Sequence, residues 1–243
     1  DLSSLRNGII AGSPVSEEEY DAIRREIPGL LLHASYGQTE TAPCVSISDV
    51  GDSATERATT AGRVLRHCEV RILAPDGASL QTGEDGEICV RGYNVMQGYY
   101  HLPEETAKTI DADGWLHTGD LATMDSEGYV TVRGRSKNML LTSSGQNIYP
   151  EEIESKFNNM PYVSESLVLL QKDKLVALIY PDFDDAFAHG LSQTDIERMM
   201  ETNRIELNQQ LPSYCQITKI KIHFEEFEKT AKKSIKRFMY QEA

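Results

Sequence analysis

The alternation of hydrophobic and polar positions predicts a β-α-β unit at the start of the chain. Residues 5–12 (LRNGIIAG) are predicted to form a buried strand that runs into a glycine turn. Ser16, with Glu19 three residues later, has the capping-box pattern that begins a helix. Pro28-Gly29 ends this helix and Leu30 begins the next strand. Sheets built from such units bind ligands beyond the carboxyl ends of their strands, so the segments after both strands are candidate ligand loops.

Between residues 60 and 98 the period of the pattern changes to two. Val70 and Ile72 alternate with charged residues before a turn, and Ile88 and Val90 alternate in the same way after it. This pattern predicts a small antiparallel sheet or barrel. Three further elements are expected after it: a short helix from Pro103 to Ile110, a tight polar turn at Thr118-Gly119-Asp120, and a strand from Tyr129 to Val132.

A polar joint at 134–137 (GRSK) separates this region from a second pattern, of α+β type. Pro150 starts a helix whose first turn is acidic, which favours the helix dipole. Ile153 and Phe157 fall on one face of that helix. The later predicted elements are strands over 166–171 and 175–180, a long helix that starts at Ser192, and a strand through Ile220, Ile222 and Phe224.

Composition places the chain among ordinary globular proteins. Its 243 residues are 40% hydrophobic and 26% charged, and this length accommodates one large domain or two smaller ones. The 24 Lys and Arg residues are outnumbered by 38 Asp and Glu, which gives a net charge of -14. A surface for duplex nucleic acid is therefore not expected, because neutralising phosphates requires a concentrated basic face.

The cysteines and the absence of a long apolar run bear on location. Cys44, Cys68, Cys89 and Cys215 lie far apart without a C-x-x-C pair, so we expect no zinc site and interpret them as reduced thiols of a cytoplasmic protein. No apolar run is long enough to span a bilayer, and we expect no signal peptide. The chain starts at Asp1 in the middle of what reads as a domain, so we expect a fragment.

Two groups of residues carry the candidate chemistry. Asp120 and Arg135 flank one compact β element next to the polar joint, and they offer a carboxylate acceptor and a planar fork of donors. This arrangement suits a ligand site near a domain boundary. Upstream, residues 36–40 (YGQTE) offer an aromatic face for a base, a glycine that allows close backbone approach, a hydroxyl and a carboxylate. One such carboxylate, with substrate phosphates, is the usual way in which proteins hold Mg²⁺.

Residues 109–120 also have a partial EF-hand pattern. Asp111, Asp113, Gly114 and Asp120 fall at loop positions three, five, six and twelve. Thr109 replaces the usual first aspartate, the twelfth position lacks its glutamate, and the following segment reads as a hairpin and not as a helix. These departures favour a ligand site at Asp120 and Arg135 over a calcium-binding loop.

Several long motifs, in the right order, resemble those of the adenylate-forming enzymes, which include acyl-CoA synthetases, the adenylation domains of peptide synthetases and firefly luciferase. The family patterns are YG-x-TE, TGD, GR-x-(D/K), G-x-x-I-x-P-x-E-I-E and T-x-x-G-K-I-x-R. In this chain they read YGQTE at 36–40, TGD at 118–120, GRSK at 134–137, GQNIYPEEIE at 145–154 and TAKKSIKR at 230–237. A further segment, GEICVRGYNVMQGYY at 86–100, resembles a family segment that we interpret mainly as scaffold.

The resemblance implies a nucleotide site in the first of these motifs. It implies that Tyr36 stacks on adenine, with Gly37 beside it in the nucleotide-binding loop. Thr39 would contact the α-phosphate, and Glu40 would ligate Mg²⁺, so both are candidate catalytic residues.

Two other segments complete the implied nucleotide site. Asp120 would accept hydrogen bonds from both hydroxyls of the ribose, and Arg135 would reach the same sugar or the α-phosphate. Gly12-Ser13-Pro14 matches the adenine loop of the family loosely, because Ser13 replaces the usual alanine.

The last motif departs from the family pattern. Its lysine is implied to neutralise the acyl carboxylate and the α-phosphate during adenylation. In this chain Ser234 stands immediately before Ile235, and the nearby lysines are Lys233 and Lys236. Either of them substitutes, with Lys233 our candidate catalytic residue, or adenylation is impaired. The alternative is that this segment is a solvated basic tail with no catalytic role.

The resemblance spans almost the whole chain and implies its fold class, α/β plus α+β. Residues 1–134 would be the end of a large N-terminal domain, with the β-α-β unit and a small antiparallel β-barrel. Residues 135–138 would be a hinge, centred on Lys137, and residues 139–243 a small, mobile α+β domain. Gly145 would let the pantetheine arm of coenzyme A pass close to the backbone.

The implied activity is that of an AMP-forming acyl-CoA synthetase that uses ATP, Mg²⁺ and coenzyme A. We predict a long-chain fatty acid as its acid substrate. We also predict that this chain alone does not catalyse adenylation, because the phosphate loop of the family is missing from it. Two alternatives stay open: an adenylation domain that loads a carrier protein, and a nucleotide-binding pseudoenzyme, suggested by Ser234.

Overall fold

The computed structural model describes residues 1–12, 15, 17–230 and 233–241. The chain divides into two compact units, Asp1–Lys137 and Asn138–Ala243. Lys137 lies in a short helical turn, Ser136–Asn138, at this division. The division falls within residues 135–138, while movement about it stays a prediction.

The first unit begins with the predicted β-α-β arrangement. Strand β1 (Asn7–Ile10), helix α1 (Glu17–Glu26) and strand β2 (Leu31–Tyr36) follow one another, and the two strands pair in parallel. The expected burial of the first strand is wrong, since its residues alternate between exposed and half-buried and Ile9 is 65% exposed. Strand β1 has one partner, β2, in the described part of the chain, which leaves its other edge uncovered there. The predicted helix cap, Ser16, lies outside the described residues.

The sheet continues from β2 through two short antiparallel strands. These are β3 (Ser46–Ile47) and β4 (Arg63–Val64), and helix α2 (Ala54–Thr59) connects them. The α2 helix starts with a capping box, in which Ser53 and Glu56 each bond the other's backbone N–H. The hydrophobic pattern does not predict these three elements, because they are too short to show a period.

A second sheet of the first unit has four antiparallel strands in sequence order. They are β5 (Cys68–Leu73), β6 (Gly86–Gly92), β7 (Leu116–Met124) and β8 (Val130–Arg135), with helix α3 (Pro103–Thr109) before β7. The edge of β8 is hydrogen-bonded to the chain beside β4, since Ala61 N–H donates to Val130 O at 2.7 Å. Side chains from both sheets share one core, which includes Tyr36, Val45, Ile88 and Val130.

The predicted turn at Thr118-Gly119-Asp120 is wrong. These three residues lie inside strand β7, in an irregular part of its pairing with β6. Cys89 pairs with His117 and Glu87 pairs with Leu121, so residues 118–120 face a single residue of β6. This arrangement is a β-bulge. Gly119 in the bulge has a positive φ of 70°, a conformation that glycine also adopts in turns, so the segment resembles a turn in sequence.

The second unit has the predicted α+β composition. A hairpin of β9 (Leu140–Leu141) and β10 (Asn147–Ile148) leads into helix α4 (Pro150–Asn158), which has its proline at the predicted first position. Strands β11 (Val163–Gln171) and β12 (Lys174–Pro181) are antiparallel, and β13 (Ile217–Ile222) pairs with β12 in parallel. Helices α5 (Phe183–Ala188) and α6 (Gln193–Gln210) connect β12 to β13.

The core of the second unit confirms most of its sequence pattern. Ile153 and Phe157 of α4 are buried, as are Ile196, Met200 and Leu207 of α6. Ser192, the predicted start of the long helix, caps α6 through a reciprocal bond with Asp195. Phe224 lies beyond the end of the last strand, contrary to prediction, and its ring stacks on Phe183 of the unpredicted helix α5. No helix in the described part of the chain combines the length and apolar character needed to cross a bilayer.

Candidate functional site

Asp120 is held between an aromatic hydroxyl and a guanidinium. Its Oδ2 accepts a hydrogen bond from the Tyr36 hydroxyl at 2.7 Å, and its Oδ1 lies 2.8 Å from Nε of Arg135. Asp120 and Arg135 are direct cross-strand partners on β7 and β8. The Asp120 side chain is 10% exposed, so the carboxylate is fixed in direction and presents a small edge to solvent. The two residues that the sequence analysis grouped as one candidate site therefore do lie together.

Tyr36 contributes more to the scaffold of the site than its sequence suggested. Its ring belongs to the shared core of the first unit and is 9% exposed. Burial, and then the neighbouring Asp120 charge, raises the pKa of the Tyr36 hydroxyl well above its ordinary value of 10.0. The raised pKa favours the protonated hydroxyl, which is the form that donates to Asp120.

Arg135 has a buried side and an exposed side. Its Nε faces Asp120 and its Nη1 donates to the Thr118 carbonyl oxygen at 3.2 Å. The side chain is nevertheless 47% exposed. The guanidinium is thus oriented by the protein at one edge while the rest of its planar donor fork reaches solvent, where an anion or a sugar hydroxyl can approach.

The segment after β2 makes a tight turn that requires glycine. A Cβ atom on Gly37 would lie 1.8 Å from the carbonyl oxygen of Pro43, so no larger residue fits without a backbone shift. The close approach that we expected at this glycine is made by the chain itself. A short helical turn follows at Thr39–Thr41, with Thr39 exposed and Glu40 half-buried.

Glu40 has a partner that the sequence analysis did not identify. Its Oε1 accepts a hydrogen bond from the Tyr99 hydroxyl at 2.8 Å, and Met96 N–H donates to its backbone oxygen at 2.8 Å. Within the described residues its Oε2 has no hydrogen-bond partner. The segment 86–100 that we interpreted as scaffold therefore positions a candidate metal ligand, and one carboxylate oxygen stays accessible to a hard cation.

The predicted adenine loop is described only at its first residue. Gly12 is exposed and has a φ of 89°, and a Cβ added there would meet nothing within 4 Å. Ser13 and Pro14, which we also assigned to the nucleotide site, lie outside the described residues.

The EF-hand alternative does not fit the observed geometry. An EF-hand loop leads into a helix, whereas Asp120 lies within strand β7. Asp111 accepts hydrogen bonds from the backbone N–H groups of Asp113 and Trp115, at 3.0 and 2.8 Å, which is the pattern of an Asx turn.

Three side chains from β6 and β7 form a second polar cluster that sequence spacing did not reveal. Ligand atoms of Glu87, Cys89 and His117 lie within 4.8 Å of one another. Burial is the main reason that the pKa of the Cys89 thiol is raised, to about 12. Cys89 and His117 are cross-strand partners, so the cluster depends on strand register and not on a spacing motif.

In the second unit, Gly145 lies in the tight hairpin between β9 and β10. It has a φ of 80°, and a Cβ at this position would meet nothing within 4 Å. Asp173 holds the hairpin, because it accepts hydrogen bonds from both the backbone N–H, at 2.8 Å, and the hydroxyl of Ser143. Gly145 is exposed, on a loop that Asp173 holds through Ser143.

Lys233 and Ser234 are exposed on the C-terminal segment. Lys233 has a φ of 60°, a left-handed conformation that glycine favours. This matches the family pattern T-x-x-G-K-I-x-R, in which glycine stands at the place of Lys233 and lysine at the place of Ser234. Lys236 is half-buried, and its Nζ lies 3.4 Å from Glu228 Oε2.

A buried ion pair anchors this C-terminal segment. Arg237 forms an ion pair with Glu154 of α4, and Glu154 Oε1 also accepts from Val168 N–H at 2.6 Å. Burial raises the pKa of Glu154 to about 7, although Arg237 and the Val168 amide oppose the shift. Two motifs that are far apart in sequence, PEEIE and TAKKSIKR, are thereby joined within one unit.

Comparisons with known proteins agree with this arrangement. The family described as "AMP-binding enzyme" matches residues 1–100, and the family described as "AMP-binding enzyme C-terminal domain" matches residues 137–243. A putative acyl-CoA synthetase of Bacillus subtilis, YngI, is 45% identical over 170 residues, which cover 70% of this chain and 31% of that protein. The mitochondrial medium-chain acyl-CoA ligase ACSF2 of Macaca fascicularis is 40% identical over 174 residues, which cover 71% of this chain and 28% of that protein.

Solved structures give the same result for the fold. The crystal structure of the anthranilate CoA ligase AuaEII in complex with anthranoyl-AMP has a TM-score of 0.80 and is 26% identical, and the match covers 98% of this chain and 43% of that one. The chain thus spans about a third of the length of its curated relatives. Both family matches, in the order in which the motifs occur, establish that the chain belongs to the adenylate-forming superfamily.

Proposed function

We propose that the full-length protein is an ATP-dependent acid–CoA ligase. In the first step a carboxylate oxygen of the acid attacks the α-phosphorus of ATP and pyrophosphate leaves. In the second step the sulfur of coenzyme A attacks the acyl carbonyl carbon of the acyl-adenylate, and AMP leaves. The observation that carries this proposal is the fixed group of Tyr36, Asp120 and Arg135.

This group has the chemistry to bind the sugar of an adenosine nucleotide. A carboxylate has about four acceptor positions, so Asp120 can accept ribose hydroxyls in addition to its bonds with Tyr36 and Arg135. Because those bonds fix its direction, little entropy is lost when the sugar binds. The exposed edge of the Arg135 guanidinium supplies donors for the same sugar or for the α-phosphate.

The Gly37–Glu40 segment is proposed to contact the phosphates. Thr39 offers an exposed hydroxyl, and Glu40 offers a carboxylate oxygen that Tyr99 leaves accessible. Bound there, Mg²⁺ would neutralise charge on the phosphates. Tyr36 would contact the adenine only through the small part of its ring that is exposed to solvent.

We propose a fatty acid as the acid substrate. YngI and ACSF2 are named as acyl-CoA synthetase and medium-chain acyl-CoA ligase, while the structural neighbour is an anthranilate ligase. The long-chain preference that the sequence suggests must therefore be compared directly with medium-chain and aromatic acids. We also propose a cytoplasmic location for the protein. Because ACSF2 is named as mitochondrial, this location has to be tested by experiment.

We further propose that the second unit is mobile. It would turn about Lys137 between the two steps, with Lys233 serving adenylation and the Gly145 loop serving the passage of the pantetheine arm. Hinges of this kind take up backbone changes without taking part in the chemistry.

A pseudoenzyme is the second candidate, and a specific observation favours it. Ser234 stands where the family pattern has its lysine, and Lys233 has the backbone conformation of the preceding glycine. The protein would then bind an adenosine nucleotide without activating an acid.

The test is an ATP–pyrophosphate exchange assay on the full-length protein with medium-chain, long-chain and aromatic acids. Acid-dependent exchange supports the ligase, and its absence together with AMP binding supports the pseudoenzyme. Release of AMP is then measured with coenzyme A and with a phosphopantetheinylated carrier protein. The acceptor that supports AMP release distinguishes a CoA ligase from an adenylation domain that loads a carrier protein. The 243-residue chain is assayed in parallel and is expected to release no pyrophosphate.

A further inference from the structure

We infer that Glu87 is a positioning residue for Asp120, acting through the backbone amide of Gly119. The inference concerns the same site as the proposed function, and its value for nucleotide binding rests on that function. Glu87 lies on β6, two residues before Cys89, and its side chain faces the bulge of β7. It is half-buried, with 29% of the side chain exposed.

The bulge creates an amide group that needs an acceptor. Between the paired residues Glu87 and Cys89, β6 has one residue, Ile88. The facing part of β7 has three residues, Thr118, Gly119 and Asp120. Backbone N–H groups in such a bulge lose their regular partner on the neighbouring strand. A buried or half-buried N–H without an acceptor is unfavourable, so a side chain has to supply one.

Glu87 supplies this acceptor and is itself held in place. Its Oε1 accepts from Gly119 N–H at 2.9 Å, and its Oε2 lies 3.1 Å from Nδ1 of His117. The other ring nitrogen of His117 faces Asp111, with 3.8 Å between Nε2 and Oδ2. The carboxylate therefore bridges two residues of β7 that are separated by Thr118.

The same contacts decide between two interpretations of the cluster. Glu87, Cys89 and His117 have donor atoms that are close enough to share a metal ion. Both carboxylate oxygens of Glu87 are already engaged, one by a backbone amide and one by the imidazole. These hydrogen bonds account for the arrangement of the cluster without a metal ion.

The brace fixes the residue that follows it. Gly119 has a φ of 70°, and its amide orientation determines where the chain continues to Asp120. Thr118 secures the other side, because its hydroxyl donates to Ile88 O at 2.7 Å and accepts from Asp120 N–H at 3.1 Å. Asp120 is consequently presented to Tyr36 and Arg135 from a backbone that is held at two points.

The experiment measures the Gly119 amide and the nucleotide affinity of the full-length protein separately. Hydrogen–deuterium exchange resolved at Gly119 is recorded for Glu87→Ala, Glu87→Gln and Glu69→Ala, all with EDTA present. Glu69 is the matched control, because it is an acid of the same sheet whose ion-pair partner is Arg91. The dissociation constant for AMP and the Tm are measured on the same samples.

We expect Glu87→Ala to accelerate exchange at Gly119 and to weaken AMP binding, each about tenfold, as for loss of one charge-assisted hydrogen bond. Glu87→Gln should restore both to within about threefold, because its amide oxygen still accepts from Gly119 and the imidazole can change tautomer. Glu69→Ala should leave both unchanged. If Glu87→Ala does not fold, Glu87→Asp provides the same test, since it keeps the charge and shortens the reach.

Unchanged exchange at Gly119 in Glu87→Ala and Glu87→Asp overturns the inference. So does an equal acceleration in Glu69→Ala, or a failure of Glu87→Gln to rescue. The proposed function fails in a different way. If the unaltered protein binds no AMP, the nucleotide site is wrong, while exchange at Gly119 still decides whether Glu87 braces the bulge.

Discussion

The hydroxyl of Tyr36 donates a hydrogen bond of 2.7 Å to Oδ2 of Asp120, although the two residues are 84 positions apart in sequence. This bond connects the parallel strand β2 to the antiparallel strand β7 within the first unit. It also makes Tyr36 a fixed support for the acid that we propose binds the ribose. Substitutions at this support, at the turn beside it and in the second unit are each expected to have a distinct effect.

Tyr36→Phe removes the hydroxyl donor and keeps the ring in the core. We expect AMP affinity to fall by about fivefold and unfolding free energy to fall by about 1 kcal/mol, because Asp120 loses one of its fixed partners. Isothermal titration and urea unfolding measure the two effects. Tyr129→Phe is the matched control, since Tyr129 donates to Asp52 at 2.7 Å in the same unit. It should lose similar stability and keep its AMP affinity, so equal losses of affinity in the two variants would contradict the prediction.

Gly37→Ala places a methyl group where the Pro43 carbonyl oxygen stands, at a separation of 1.8 Å. The backbone must shift, and the turn that carries Thr39 and Glu40 shifts with it. We expect Tm to fall by about 5 °C or more, as for a loss above about 1 kcal/mol. Gly51→Ala is the control, because a Cβ there meets nothing within 4 Å. Differential scanning calorimetry compares them, and a Gly37→Ala protein as stable as Gly51→Ala would refute the observed close approach.

Glu154 makes the stability of the second unit depend on pH. Its folded pKa, about 7, is above its ordinary value of 4.5, so the folded state binds the proton more tightly than the unfolded state. The contribution is complete below pH 4.5 and is lost as the pH rises through 7. We expect this group to lower the unfolding free energy by up to about 3 kcal/mol across that range.

Urea unfolding at several pH values, followed by far-UV circular dichroism, measures this dependence. Glu154→Gln should flatten it, whereas Glu197→Gln, at an exposed position of α6, should not. Fluorescence of Trp115, the single tryptophan, follows the first unit separately. The same slope in the Glu154→Gln protein and in the unaltered protein would remove Glu154 as the cause.

Lys233 and Ser234 decide between the ligase and the pseudoenzyme. If Lys233 serves adenylation, Lys233→Ala in the full-length protein should lower the rate of ATP–pyrophosphate exchange by about a hundredfold, as for loss of an electrostatic contact to the transition state. Lys236→Ala tests the other candidate lysine, whose Nζ is paired with Glu228, and should keep the rate if Lys233 is the lysine that acts. An unchanged rate in Lys233→Ala removes Lys233 from the mechanism, and exchange that appears only in Ser234→Lys identifies the unaltered protein as a pseudoenzyme.

Local sequence patterns predicted elements whose stability depends on nearby residues. The β-α-β order, the proline-led start of α4 and the start of α6 at Ser192 are confirmed. Each of these elements begins or ends where residues within one turn or one period of the chain favour it. The wrong prediction of a turn at the TGD segment has a related cause. Its residues favour a tight bend, and only pairing with β6 converts that bend into a bulge inside a strand.

The sequence by itself determined the superfamily, the order of the motifs and the residue types available for nucleotide chemistry. Only the tertiary structure decided that Tyr36 supports Asp120, that Tyr99 holds Glu40 and that Glu87 reaches the amide of Gly119. These contacts join residues on different strands, and strand register sets which of them meet. A periodic pattern shows which face a side chain takes, but the partner on that face is selected by packing between distant segments.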